Sequence, residues 1–196
     1  MILKVVKYGH PALRKKGERV RAITPAIKEL IASMFETMYD AKGIGLAAQQ
    51  VGEAVQITVI DVRAASAERP STLELDGKPA PVEDFMPLTL INPEFKPVGE
   101  PAAGPEGCLS FPEVYADIER PETVDVKAMN EKGKKIEFRC GGLLARAVQH
   151  ETDHLNGILF IDRMDSVTKR SLKPEIDAIQ AETKAGLQQE KKEKVS

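Results

Sequence analysis

The chain has 196 residues, 42% hydrophobic and 30% charged, which suits one domain with a substantial core and an ordinary globular composition. A formal net charge of −2 gives no basic field for DNA or other nucleic acid, and no apolar run is long enough to span a bilayer. The opening Met1-Ile2-Leu3-Lys4-Val5-Val6-Lys7 lacks the apolar stretch of a secretion signal, and two distant cysteines, Cys108 and Cys140, make no disulfide framework, so a reducing cytosolic setting is expected.

In chain order, residues 24–42 predict a helix. Thr24 suits the N-cap, Pro25 the first helical position and Gly43 the stop, while Ile27, Leu30, Ile31, Met34 and Met38 form one apolar stripe. Gly43 to Gly52 reads as a Gly/Ala-rich loop, and Val55 to Val62 as a β-branched strand. Residues 64–88, punctuated by four prolines, read as a long excursion with room for one short hairpin. Leu88 to Ile91 suggests a short strand, and Pro97 to Gly107 a Pro/Gly-rich connection. Val124 to Met129 and Lys135 to Cys140 predict a hairpin closed by Asn130-Glu131-Lys132-Gly133. A second helix is expected from about Gly142 to Asn156, ended by Gly157, and residues 167–196 form a charged, helix-prone tail anchored thinly by Ile176, Ile179 and Leu187. Strands and hairpins without a βαβ rhythm imply an α+β fold, with a catalytic unit over residues 1–166 and the tail appended.

Three segments carry chemistry. In His150-Glu151-Thr152-Asp153-His154, the two imidazoles lie four residues apart and so share a helix face on which they can hold one metal ion. At about 100° per residue, His150, Glu151 and His154 fall in the same arc as Leu143, Leu144, Ala147, Val148 and Leu155, with Arg146, Gln149, Thr152, Asp153 and Asn156 outside it. Polar groups aimed at a core are costly unless paired, and a cation supplies the partner. In Glu106-Gly107-Cys108-Leu109-Ser110, a Cys108 thiolate would complete three protein ligands and leave the open fourth position typical of a catalytic site. Gly43-Ile44-Gly45-Leu46-Ala47-Ala48-Gln49-Gln50 lacks the Lys and Ser/Thr of a phosphate loop; its small residues would allow close backbone approach to a substrate. Two rival assignments stay open from the residues alone. Cys140 would close a structural Cys₂His₂ site, although its alternation with Ile136 and Phe138 favours the core. Glu175 would give a His₂-Glu peptidase.

Together these segments resemble the signature motifs of the peptide deformylase family, G-φ-G-φ-A-A-x-Q, E-G-C-φ-S and H-E-x-x-H with φ apolar, in the family's order and at similar separations. His10-Pro11-Ala12-Leu13-Arg14 is similar as well, and the likeness runs over roughly residues 3 to 165. The resemblance implies antiparallel sheets packed around a central metal-binding helix, followed by a C-terminal helix. It implies one divalent ion held by Cys108, His150 and His154, Fe²⁺ in cells, with Zn²⁺, Ni²⁺ or Co²⁺ able to substitute. It implies Glu151 as general base and then acid, with the Gln50 amide and the Leu109 backbone N–H at the developing oxyanion. The substrate would be a nascent peptide beginning with N-formylmethionine, its side chain against Ile44 and Leu143 and its backbone bonded to Gly45. The charged tail resembles the C-terminal helix of many bacterial members; a solvated helix is the stronger reading, with a ribosome contact as the alternative. Formylated starts imply bacteria or an organelle, and the absent targeting segment favours the bacterial cytoplasm. Arg63 to Pro87 is longer than in compact family members, either rimming the cleft or looping out.

Overall fold

The computed structural model describes residues 1–193, so the last three residues of the tail lie outside it. Helix α1 spans Pro25–Asp40; the Thr24 side chain accepts from the Ile27 N–H, as the sequence predicts. Its stop differs from the expectation. Lys42 takes the left-handed conformation at φ 54, and Gly43 follows it, donating its N–H to the Met38 carbonyl. Strands β1 (Gly45–Ala47), β2 (Ile57–Ile60), β3 (Ser71–Leu75) and β4 (Lys78–Pro79) precede the one-turn helix α2 (Val82–Phe85). Then come β5 (Leu88–Pro97), β6 (Pro101–Cys108), β7 (Phe111–Pro121), β8 (Thr123–Met129) and β9 (Lys135–Gly141). Helices α3 (Gly142–Leu155), α4 (Ser166–Ser171) and α5 (Lys173–Glu193) finish the chain.

Seven strands form one sheet in the order β1-β2-β5-β8-β9-β3-β4, and β6 pairs with β7 in a separate ribbon; every ladder is antiparallel. Helix α3 lies between them. Leu143, Leu144, Ala147 and Val148 pack onto Val124, Val126, Phe138 and Leu90 of the sheet, all at most 8% exposed. Helix α1 covers the β1–β2–β5 end through Ile31, Met34 and Met38. A third apolar cluster joins Phe111, Val114 and Ile118 of β7 to Phe160, Ile161 and Ile176, which pins the start of α5 to the ribbon. Fully burying each such side chain contributes about 1.5–3 kcal/mol, so this division puts a continuous core on both sides of α3.

Three stretches depart from the sequence reading. The Gly/Ala-rich loop contains β1 and a 3₁₀ turn over Ala48–Val51; β1 is defined by its pairing with β2 (Gly45 opposite Ile60), a contact with no local signal. The Pro/Gly-rich connection is β6, and β7 went unpredicted. Pro101 and Pro105 lie in a ribbon outside the main sheet, where a missing ladder donor is tolerated. The excursion does hold a hairpin, β3–β4, and does not loop out: β3 pairs with β9, Pro70 accepts from the Leu143 N–H, and the Ser71 hydroxyl accepts from the Leu144 N–H at 2.9 Å. Since Gly141 offers no side-chain cap, this excursion caps α3. Gly157 ends α3 at φ 72, as expected, and an added Cβ there would meet the Arg14 carbonyl at 2.6 Å.

Candidate metal centre and active site

The last residue of β6 faces the middle of α3. The Cys108 sulfur and one ring nitrogen each of His150 and His154 lie within 4.8 Å of one another, so the structure brings together the three donors predicted from sequence. Cys108 Sγ is 3.4 Å from His154 Nε2. Two tetrahedral ligands at ordinary Zn–S and Zn–N bond lengths stand about 3.6 Å apart, so the spacing of this pair fits a divalent ion. His150 Nδ1 meets Glu106 Oε2 at 2.8 Å. Burial alone would raise the Glu106 carboxyl, but hydrogen bonds from His150 and Arg120 outweigh it and hold it down to about 2. An ionised Glu106 fixes the proton on Nδ1 and leaves the Nε2 lone pair for a metal. Burial, then the neighbouring His150, holds His154 well below the usual histidine range, so its ring is neutral. Burial disfavours the charged form of His150, but hydrogen bonds to Cys108 and Glu106 outweigh it and raise that ring well above the usual histidine range, so a metal would have to displace its proton. One cysteine and two imidazoles form a borderline-soft donor set, matched to a late first-row divalent ion.

A buried ion network backs this donor set. Arg120, 2% exposed, donates to Glu106 and, at 2.8 Å, to Asp153 Oδ2. Asp153 also takes two bonds from Arg163, and Arg146 donates to Glu106 at 3.0 Å and to the Ile118 carbonyl at 2.7 Å. Gln149, Thr152 and Asp153, placed outside the buried arc by the helical wheel, are in fact at most 5% exposed. The ribbon covers that face, and Asp153 finds Arg120 there and Gln149 the Pro121 carbonyl, while Gln149 also donates to the Ala145 carbonyl of its own helix. Removing one member of such a buried pair leaves an uncompensated charge and costs about 3–5 kcal/mol.

Around the donors lies a cleft of about 640 Å³ lined by Gly43, Ile44, Gly45, Gln50, Leu109, Leu143 and Glu151, among others. Glu151 Oε2 is buried without a hydrogen-bond partner, and burial pushes the carboxyl up to about 7. A Cβ on Gly45 would stand 2.4 Å from Glu151 Oε1, so a side chain at residue 45 would have to displace that carboxyl group. Gln50 is 1% exposed; its Oε1 accepts from the Ala47 N–H at 2.9 Å, which turns Nε2 toward Cys108 Sγ and Ser110 Oγ, both at 3.4 Å. Ile44 and Leu143 both belong to the main core and line the cleft.

The alternative donors lie elsewhere. Cys140 is 1% exposed on β9 within the core, its thiol pushed up to about 12 by burial, and Glu175 is exposed on α5. His10, which the sequence left without a partner, accepts from the Ala12 N–H at 3.2 Å and caps the 3₁₀ turn Pro11–Arg14. Sequence reasoning missed Lys7, Arg69 and Tyr115 at the cleft, and Arg120 and Arg163 behind it. Arg120 and Arg163 act through partners 33 and 10 residues away, which no local pattern discloses.

An antiparallel α+β fold built on a helix with two imidazoles and a carboxylate, faced by a cysteine across an open cleft, defines a metal-dependent hydrolase. The polypeptide deformylase family profile matches residues 2–170. The peptide deformylase of Opitutus terrae is 44% identical over 187 residues, covering 94% of this chain and 96% of that one. That of Methylacidiphilum infernorum is 45% identical, covering 91% and 93%. The crystal structure of the Synechococcus elongatus peptide deformylase, a complex with actinonin, is similar at a TM-score of 0.74 and 39% identity, covering 88% of this chain and 85% of that one. The chain belongs to the polypeptide deformylase family, metal-dependent hydrolases that remove the formyl group from the N-terminal methionine of nascent peptides.

Proposed function

We propose that Cys108, His150 and His154 hold the divalent ion and that Glu151, Gln50 and Leu109 carry out deformylation beside it. The observation that carries this assignment is the convergence of three donors on a cleft wall that also holds Glu151, whose buried Oε2 has no hydrogen-bond partner. The ion supplies Lewis acidity and brings the pKa of water toward neutrality. Glu151 takes a proton from the attacking water and passes one to the departing amine. The Gln50 Nε2 and the Leu109 N–H donate to the oxyanion as the formyl carbon becomes tetrahedral; losing one such donor costs about 10²–10³ in rate. Gln50 is suited to this because its other amide end is already held by Ala47.

Strand β1 is one of the sheet's two edge strands, and its residue Gly45 lines the cleft with Gly43 and Ile44. An extended peptide would pair there, bonding Gly45, and place its methionine side chain against Ile44 and Leu143. Fe²⁺ is the ion we assign, with Zn²⁺, Ni²⁺ and Co²⁺ compatible with the same donors; activity that survives air unchanged would count against Fe²⁺. Residues 1–166 form the catalytic unit and 167–196 an appended helical tail. We place the enzyme in the bacterial cytoplasm, where formylated chains are made. The charged, largely exposed α5 is our candidate ribosome contact, tested by co-sedimentation of the full chain against one ending at Gly186.

The deciding experiment measures formate release from formyl-Met-Ala-Ser by protein purified without oxygen. Wild type releases formate, and Glu151→Ala, loaded with equal metal, loses at least about 10²-fold in kcat. A metal-loaded Glu151→Ala that kept wild-type kcat would overturn the role given to Glu151.

A further inference from the structure

The N-terminal segment has no regular secondary structure, yet it touches both sequence motifs that the oxyanion assignment uses. The Val6 N–H donates to the Gln50 carbonyl at 2.8 Å, and the Tyr8 N–H to the Ser110 carbonyl at 2.9 Å. Between them, Lys7 Nζ donates to the Leu109 carbonyl at 2.6 Å. The Tyr8 ring stacks on Phe111, the first residue of β7, with centroids 4.8 Å apart. Three successive residues therefore join the Gln50 turn to the Leu109-Ser110 turn.

That second turn needs outside support. It links β6 to β7 through two residues, since Cys108 pairs with Phe111. Two-residue hairpin loops favour types with positive φ at a central residue, because other types splay the strands. The non-glycine residues with positive φ are Lys42, Asp76, Asn92 and Glu113, so neither Leu109 nor Ser110 supplies one. Both turn carbonyls instead accept hydrogen bonds from the strap. Lys7 is half-buried beside the cleft and pairs with no carboxylate among the described residues. A lysine in that position is explained by the carbonyl it holds, because a charged donor makes a stronger bond to a carbonyl than a neutral one.

We infer that residues 6–8 form a strap that sets the spacing between the Gln50 amide and the Leu109 N–H, with Lys7 as its positioning residue. Lys7 lines the cleft, but the role assigned to it is exerted through the Leu109 carbonyl that its ammonium holds. This rests on the oxyanion roles given above to Gln50 and Leu109. Misalignment of the two donors weakens contacts made only in the transition state, so it lowers kcat and leaves KM in place.

The test compares Lys7→Met, Lys7→Gln and Lys7→Arg with wild type as metal-loaded enzymes on formyl-Met-Ala-Ser, reading kcat, KM, bound metal and melting temperature. Lys7→Met should lose on the order of 10-fold in kcat, with KM within about 2-fold and bound metal unchanged. Lys7→Arg, which keeps a charged donor, should recover most of the loss, and Lys7→Gln should fall between. If Lys7→Met does not fold, the Gln and Arg variants make the same comparison. A folded, metal-loaded Lys7→Met or Lys7→Gln with wild-type kcat overturns the strap. So does a loss confined to KM, which would make Lys7 a substrate contact. Wild type that releases no formate removes the oxyanion assignment and the strap with it, whereas active wild type with equally active variants removes the strap alone.

Discussion

Gly45 is the tightest point of the site. Its missing Cβ leaves the space that Glu151 Oε1 occupies, at 2.4 Å from where that carbon would lie. Gly45→Ala should therefore push the carboxylate off its position without touching a metal ligand. The expected result is a loss of about 10²-fold in kcat with metal content unchanged, together with about 1–3 kcal/mol of stability read from the urea midpoint. Retention of wild-type kcat would mean that Glu151 has freedom the packing denies it. At this scale the sequence was informative where chemistry is local. His150, Glu151 and His154 are legible because four residues make about one helical turn, and Cys140 because alternation with Phe138 places it in the core. The contact of Gly45 with Glu151 was not legible, since it joins residues 106 positions apart, and a glycine in a Gly-rich run reads as a turn.

Among the elements, α3 carries the most function and does not cap itself. Its N-cap, Gly141, makes no side-chain hydrogen bond, while Ser71 from β3 bonds the Leu144 N–H and Pro70 the Leu143 N–H. Ser71→Ala should cost about 1 kcal/mol, the usual worth of a helix cap, seen as a lower urea midpoint with unchanged slope. No change would mean that water replaces the hydroxyl at no cost. The β8–β9 hairpin was legible to within one residue because its strands alternate cleanly around an Asn-Glu-Lys-Gly turn. The β6–β7 ribbon was not. Its prolines and glycines are the signals of a loop, and only the facing strand, together with the Arg146 guanidinium packed against Gly104, gives those residues a ladder.

For the whole molecule, a metal held as proposed would tie two layers together, with Cys108 on the ribbon and His150 and His154 on the central helix. An ion bound by the folded chain alone stabilises it by about 4 kcal/mol at a thousandfold excess over Kd. Chelation should thus lower the melting temperature by several degrees and speed hydrogen exchange first at Leu109 and Ser110, with metal restoring both. Cys108→Ala should abolish the response to chelator. An unchanged melting temperature would mean that the layers hold together without the ion. The α+β class could be foreseen from the rhythm of strands and helices, and the antiparallel sheets from the family resemblance, but not the strand order, because β3 joins β9 across some 65 residues of intervening chain.

The sheet has two edges, β1 and the two-residue β4, and the one beside the cleft, β1, is three residues long. An exposed edge of ordinary length invites a neighbouring protein to extend the sheet. Three residues, ending in a 3₁₀ turn on one side and in Gly43 and the cationic Lys42 on the other, give such growth little foothold. The same brevity sets how long a visitor stays. On the docking proposed above, a few ladder bonds at a net of about 0.5–1.5 kcal/mol each would register the first residues of an emerging chain, yet be too weak to retain it once the formyl group is gone. An enzyme that must greet every new polypeptide and keep none is served by a docking strand of this length.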